Sequence, residues 1–131
     1  MTAAQELGRF AEDTVAEYLL SMGWKVIARN VRNDYDELDI VAFDTTAKPE
    51  ELVIVEVRCR TVNKIQSPLE SIGFRKLRTL LRASQKLTEK MNWSGFWRID
   101  AVGITINDKN SRESWKLEHI KDITAGRTFL H

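Results

Sequence analysis

Apolar positions recur at 3.6-residue spacing over residues 3–22. Leu7, Phe10, Ala11, Val15, Tyr18, Leu19 and Met22 fall on one side, which predicts an amphipathic helix closed by Gly23. Three runs rich in β-branched residues follow, at 24–31, 36–44 and 52–60, and the loop between the last two, with Pro49 and two threonines, suits a hairpin. Ser67-Pro68-Leu69-Glu70 reads as a capping box with proline at the first helical position. The helix it opens has an apolar stripe of Gly73, Leu77, Leu80, Leu81, Ser84, Leu87 and Met91. Arg75, Arg78, Arg82, Lys86 and Lys90 line the opposite side, and Lys76 lies off that line at the edge of the stripe, placed to point toward a site. Strands at 96–106 and 114–119 close the chain around a turn-like Asn107-Asp108-Lys109-Asn110-Ser111. Helix, three strands, helix, two strands predicts a mixed sheet with helices packed on it, and without repeat or linker residues 1–131 read as one domain.

Composition narrows the class. With 43% hydrophobic and 30% charged residues in 131, the chain is globular and large enough to fold without a disulfide or metal staple. Cys59 is the only cysteine, and His119 and His131 are the only histidines, which excludes an intrachain disulfide, a thiolate zinc cluster and a multi-histidine metal site. No apolar run approaches the ~20 residues of a bilayer crossing, and residues 1–9 lack the basic-then-apolar layout of a signal peptide. The expectation is a cytoplasmic protein with no membrane partner. Net charge is only +1, yet residues 34–61 carry eight acids against three bases and residues 62–98 eight bases against two acids. That asymmetry hints at partners, although a basic helix and an acidic hairpin also attract one another.

Charges stand where a covered strand should be apolar. In Leu52-Val53-Ile54-Val55-Glu56-Val57-Arg58-Cys59, alternation puts Val53, Val55, Val57 and Cys59 on one face, and Leu52, Ile54, Glu56, Arg58 and Arg60 on the other. The preceding strand places Leu38, Ile40 and Ala42 on one face, with Glu37, Asp39, Val41 and Phe43 on the other. If the two strands pair around Pro49, Asp39 and Glu56 come nearly opposite. Neighbouring carboxylates raise each other's pKa unless a cation sits between them, and Mg²⁺ or Mn²⁺ with oxygen ligands is the simplest resolution. The competing reading is a buried salt-bridge cluster in which Arg58 and Arg60 neutralise Glu56, Glu37 and Asp39. A third carboxylate, Glu12, sits at the border of the first helix's apolar stripe, apart from the solvent-side Glu6, Asp13 and Glu17 and flanked at i−4 and i+4 by the small Gly8 and Ala16.

These residues resemble a known family. Gly8-Arg9-Phe10-Ala11-Glu12, Gly23-Trp24-Lys25-Val26-Ile27-Ala28-Arg29-Asn30, Glu37-Leu38-Asp39-Ile40-Val41-Ala42 and Val55-Glu56-Val57-Arg58, with Arg98-Ile99-Asp100-Ala101-Val102 and Leu117-Glu118-His119-Ile120 later, are similar to the YraN family of small bacterial proteins. By fold that family belongs to the PD-(D/E)XK, restriction-endonuclease-like superfamily and is similar to archaeal Holliday-junction resolvases. The resemblance implies an αβββαβ core with a mixed central sheet flanked by helices. It implies Asp39 and Glu56 as acidic metal ligands, with the Val57 carbonyl as a third, and Glu12 completing the site directly or through water. Arg58 stands where the superfamily usually has lysine. Tyr35 and Asp36 stand where the family often has glycines, and Leu38 replaces the proline of the superfamily's name.

The function this implies is metal-dependent phosphodiester hydrolysis in nucleic acid, on junction or branched DNA by analogy, with a homodimer suggested by the same analogy. Arginine stays protonated, so Arg58 would clamp a phosphate rather than act as a base. Lys64, Arg75, Lys76, Arg78, Arg82 and Lys86 would contact the nucleic-acid backbone. Trp93, Phe96 and Trp97 would pack on the sheet edge or stack on bases, and Arg98 with Asp100 would form a supporting ion pair. Two rival classes remain: a nucleic-acid-binding module that has lost hydrolysis, and a protein-interaction scaffold whose buried charges are only salt bridges.

Overall fold

The structure is a computed structural model that describes residues 1–61, 70–108 and 111–124. Helix α1 (Ala3–Ser21) is followed by strands β1 (Lys25–Arg32), β2 (Glu37–Asp44) and β3 (Glu51–Thr61), helix α2 (Phe74–Met91), and strands β4 (Trp97–Asp108) and β5 (Ser111–Ile120). The strands form one sheet in the order β1-β2-β3-β4-β5. Only β3 and β4 run parallel; every other pairing is antiparallel. A parallel pair needs a long crossover, and the chain between β3 and β4 contains α2. This is a mixed α/β fold with the αβββαβ order of a restriction-endonuclease-like core and one further edge strand.

Local chemistry sets the helix ends. Thr2 caps α1 reciprocally: its hydroxyl accepts from the Gln5 N–H, and the Gln5 side chain accepts from the Thr2 N–H. Helix α2 begins later than the capping box predicts. Residues 70–73 are turn, and Gly73 serves as N-cap through its extended backbone without a side-chain bond. Ser67, Pro68 and Leu69, together with Lys64, lie outside the described residues. At its other end α2 stops on Asn92, whose φ of 53° is left-handed.

The two helices cover opposite faces of the sheet. Val15 and Leu19 of α1 pack with Ile40, Ala42, Val53, Val55, Val102 and Ile104, while Leu77, Leu80 and Ala83 of α2 pack with Val41, Leu52, Ile54, Ile99 and Ala101. Strand β3 is therefore covered on both sides, which explains its near-continuous apolar run. Trp93 packs against Phe43 with ring centroids 5.1 Å apart, and Trp97 joins the α2-side core, so of the aromatic cluster only Phe96 is exposed. Among the described residues no helix is long and apolar enough to cross a membrane.

Candidate active site

The site forms where β2 and β3 part. Their ladder runs from Asp44↔Glu51 to Ile40↔Val55, and the next residues along are Asp39 and Glu56. There the Val57 N–H donates to Asp39 Oδ2 at 2.8 Å, so a side chain takes up a backbone donor of β3. Strict alternation breaks at the same point. Ile40 and Ala42 face α1 and Val41 and Phe43 face α2, but Leu38 packs in the α2-side core, not beside Ile40 as alternation predicts. The turn-over of the strand aims the Asp39 carboxylate toward β3.

Glu56 is 3% exposed, and its carboxyl lies beside that of Asp39. Burial, then the bond to Asp39 and its charge, pushes Glu56 up to about 8, against the pull of Lys76 and Arg58. Glu56 thus keeps its proton at neutral pH. Arg58 Nη2 donates to Glu56 Oε2 at 3.2 Å, while the buried Arg58 Nε has no acceptor among the described residues. Arg58 therefore meets Glu56 with one nitrogen and keeps a second donor free.

Lys76 reaches the pair from the first turn of α2. Its Nζ lies 2.8 Å from Asp36 Oδ1 and 3.6 Å from Glu56 Oε2. Asp36 is fixed in turn by the Thr79 hydroxyl at 2.9 Å and by the Glu37 N–H at 2.7 Å. Burial would raise the Asp36 pKa, but the bonds from Lys76, Thr79 and Glu37 outweigh it and hold the carboxyl below its ordinary value. Burial alone would lower Lys76, yet the Asp36 bond and the nearby Glu56 raise it, so the amine stays an ammonium.

The other expected residues are placed as follows. Glu12 lines a cleft of about 450 Å³ with Gly8, Asn30, Glu37, Asp39, Val57 and Arg58. Its Oε1, however, accepts from Arg29 Nε at 3.0 Å and Asn30 Nδ2 at 2.9 Å. Glu37 is bonded to Arg32 at 2.8 Å. Arg75, Arg78, Arg82, Lys86 and Lys90 all project into solvent from α2. The role seen for Val57 belongs to its N–H; Arg60 carries a buried Nη1 with no acceptor among the described residues.

Sequence reasoning missed the partners of Lys76. Asp36 had been singled out only as a departure from glycine, and Thr79 not at all; the one signal was the polar i+3 spacing of Lys76 and Thr79 beside the apolar stripe. It also understated the Arg98–Asp100 pair. Arg98 bonds Asp44 and Glu51 as well as Asp100, and Asp100 further accepts from His119 Nε2 at 2.8 Å and from the Asp122 N–H at 2.9 Å. Tyr18 and Trp24 enclose His119, the former at 2.8 Å from Nδ1.

Among the described residues no three His, Cys, Asp or Glu side chains close on one point. Two hard oxygen donors, Asp39 and Glu56, do lie side by side, and the Glu56 carboxyl has a raised pKa, a donor pair of the kind a divalent ion suits. Asp39 and Glu56 would hold it, with the Val57 backbone and solvent completing the shell.

Fold and paired acids together define a restriction-endonuclease-like core. A family model described as "Uncharacterised protein family UPF0102" matches residues 11–104. Similar proteins, each named UPF0102 protein, include one from Chlorobium chlorochromatii, 34% identical over 119 residues and 89% of both chains. Another from Herpetosiphon aurantiacus is 35% identical over 123 residues, covering 90% of this chain and 93% of its own. One from Mycobacterium tuberculosis is 34% identical over 125 residues and 94% of both. The chain belongs to the UPF0102 family, the YraN family of the sequence resemblance.

Proposed function

We propose that this protein is a metal-dependent nuclease that hydrolyses phosphodiester bonds in nucleic acid, in the bacterial cytoplasm. The observation that carries this reading is the buried Glu56 beside the half-buried Asp39, next to an arginine whose Nε–H has no acceptor among the described residues. Asp39 and Glu56 would hold the divalent ion. Bound there, Mg²⁺ or Mn²⁺ acidifies water and offsets the negative charge that builds on the phosphate. Arg58, whose side chain is partly exposed, clamps a non-bridging phosphate oxygen and orients the diester over the acids; as a guanidinium it does not accept the proton of the attacking water. Lys76, 3.6 Å from Glu56 Oε2, favours the ionised form of Glu56 without outweighing its burial. The exposed cations of α2, Arg75, Arg78, Arg82 and Lys86, draw in the nucleic-acid backbone through contacts that carry affinity but no sequence reading.

The test is a cleavage screen of branched, single-stranded and duplex DNA with Mg²⁺ and with Mn²⁺. Wild type is expected to cut at least one substrate, and Asp39→Ala to stay folded without cutting. Absence of cleavage together with salt-dependent DNA binding would move the reading to a binding module, which the loss of a proton-accepting lysine at position 58 favours.

A further inference from the structure

Helix α2 stops short of the edge of the sheet it covers. The buried strand residues beneath it come from β2, β3 and β4, whereas β1 adds only the half-buried Ala28 and Val31. Between β1 and the last turns of α2 a groove of about 360 Å³ stays open, floored by Ile27, Ala28, Val31, Leu87 and Met91. All five are aliphatic or thioether side chains, which adapt to apolar partners but give a nucleobase no ring to stack on. Asn33 lines the same groove, and its Nδ2 donates to the Ala83 carbonyl at 3.1 Å, which ties the β1–β2 turn to α2.

Strand β1 is distorted in the way that makes this surface. Its register against β2 shifts between Val26 and Ala28, and Ile27 pairs with no β2 residue. The bulge sets Ile27 and Ala28 in succession along the groove, where a regular strand would turn one of them to the α1 side. Asn30, at a left-handed φ of 53°, breaks alternation again and returns Val31 to the groove. Ile27 is left 36% exposed. The rim is basic. Lys86 and Lys90, one turn apart, have no acidic partner among the described residues, and like charges at that spacing cost a helix stability. Arg32, paired with Glu37, stands on the β1 wall.

That charge selects the occupant. A second copy seated symmetrically would set Lys86 and Lys90 against themselves. Residues 62–69 and 125–131, which lie outside the described residues, contain no acid to match the rim. The bulge also blunts the β1 edge against an added strand. A helix laid beside α2 meets every requirement, with apolar residues at i, i+3, i+4 and i+7 in the groove and acids along its flank. We propose that the groove between β1 and α2 docks a short acidic amphipathic helix of a partner protein, its apolar stripe on Ile27, Val31, Leu87 and Met91 and its carboxylates on Lys86 and Lys90. This surface shares no lining residue with the cleft that holds Asp39, so it stands independently of the nuclease reading.

The experiment selects binders of the full-length chain from a displayed library of short helical peptides of both charge signs, then measures the enriched peptides by fluorescence anisotropy. They are expected to carry an apolar stripe flanked by Asp or Glu. Ile27→Asp is expected to weaken their binding about tenfold or more. Lys90→Glu, at a position the nucleic-acid reading does not use, should weaken it about fivefold. Circular dichroism checks that both variants fold, and Ile27→Ser replaces Ile27→Asp if it does not. No enrichment, basic flanks, or peptides that bind both variants as tightly as wild type would overturn the proposal. So would a wild-type dimer that Ile27→Asp dissociates, which gives the face to a second copy. A single-stranded DNA oligonucleotide that displaces the peptides and loses affinity with Ile27→Asp would give it to nucleic acid instead.

Discussion

Two buried acids, one strand apart, are treated in opposite ways. Asp100 on β4 is fully buried, and both its oxygens are met by donors from three directions: Arg98, His119 and the Asp122 N–H. Burial works to raise its pKa, but those donors outweigh it and hold the carboxyl below its ordinary value. Glu56 on β3 is as deeply placed, yet it faces another carboxyl and meets only one guanidinium nitrogen and a more distant ammonium. Its pKa is pushed up to about 8. A buried acid that serves the fold is supplied with all its donors; Glu56, beside a second acid, has fewer among the described residues, as the proposed cation site requires.

The contrast breaks first at Asp100. Asp100→Ala removes the buried acid that joins Arg98 to His119, leaving Arg98 with Asp44 and Glu51 and His119 with Tyr18, and is expected to cost about 3 kcal/mol of stability, measured by urea denaturation. Glu56→Leu is expected to go the other way, adding ~1–4 kcal/mol at pH 9, because it removes an acid whose ionised form is poorly compensated. If Glu56→Leu destabilises as Asp100→Ala does, the two centres are alike and the distinction between them fails.

Their pH dependence should carry opposite signs. Glu56 has a folded-state pKa above its unfolded value of about 4.5, so its favourable contribution is complete below that value. It is lost as pH climbs to about 8, on the order of 3–5 kcal/mol in all. Asp100 has a folded-state pKa below its ordinary value, so its contribution is present above that value and disappears as pH falls through the lowered one. Denaturation curves from pH 3 to 9 should therefore show an acid-side loss that survives in Glu56→Gln and an alkaline-side decline that flattens in it.

The smallest effect belongs to the acid on α1. Glu12→Gln removes one partner from Arg29, which keeps Asp13 at 2.6 Å, and is expected to shift stability by no more than ~1 kcal/mol in the same assay. A loss as large as that of Asp100→Ala would make Glu12 a structural acid in its own right.

How much of this was legible in the sequence depended on the range of the forces involved. Alternation along β3 was enough to set Glu56 among apolar neighbours, and a hairpin around Pro49 was enough to bring Asp39 opposite it, because register follows from local geometry. Helical angle alone separated Lys76 from its five basic neighbours. Its partner Asp36 was not legible, since the β1–β2 turn has first to fold against α2, where Asn33 donates to the Ala83 carbonyl. Arg98 and Asp100 read as an i, i+2 pair, but the residues that complete their network come from β2, β3, β5 and α1. The place of Leu38 was misread because alternation presumes an unbroken strand, and β2 turns over where Asp39 takes the Val57 N–H. The start of α2 was misread because a capping-box motif is a local preference, and the turn at 70–73 with Gly73 sets the first helical residue instead.

The most direct test is whether a cation can replace the proton that Glu56 holds beside Asp39. At pH 8 to 9, where that proton is being lost, the thermal midpoint of the wild type should rise on adding millimolar Mn²⁺, and that of Glu56→Gln should not. Midpoints that move equally in the two proteins, or in neither, would contradict a cation site at these acids.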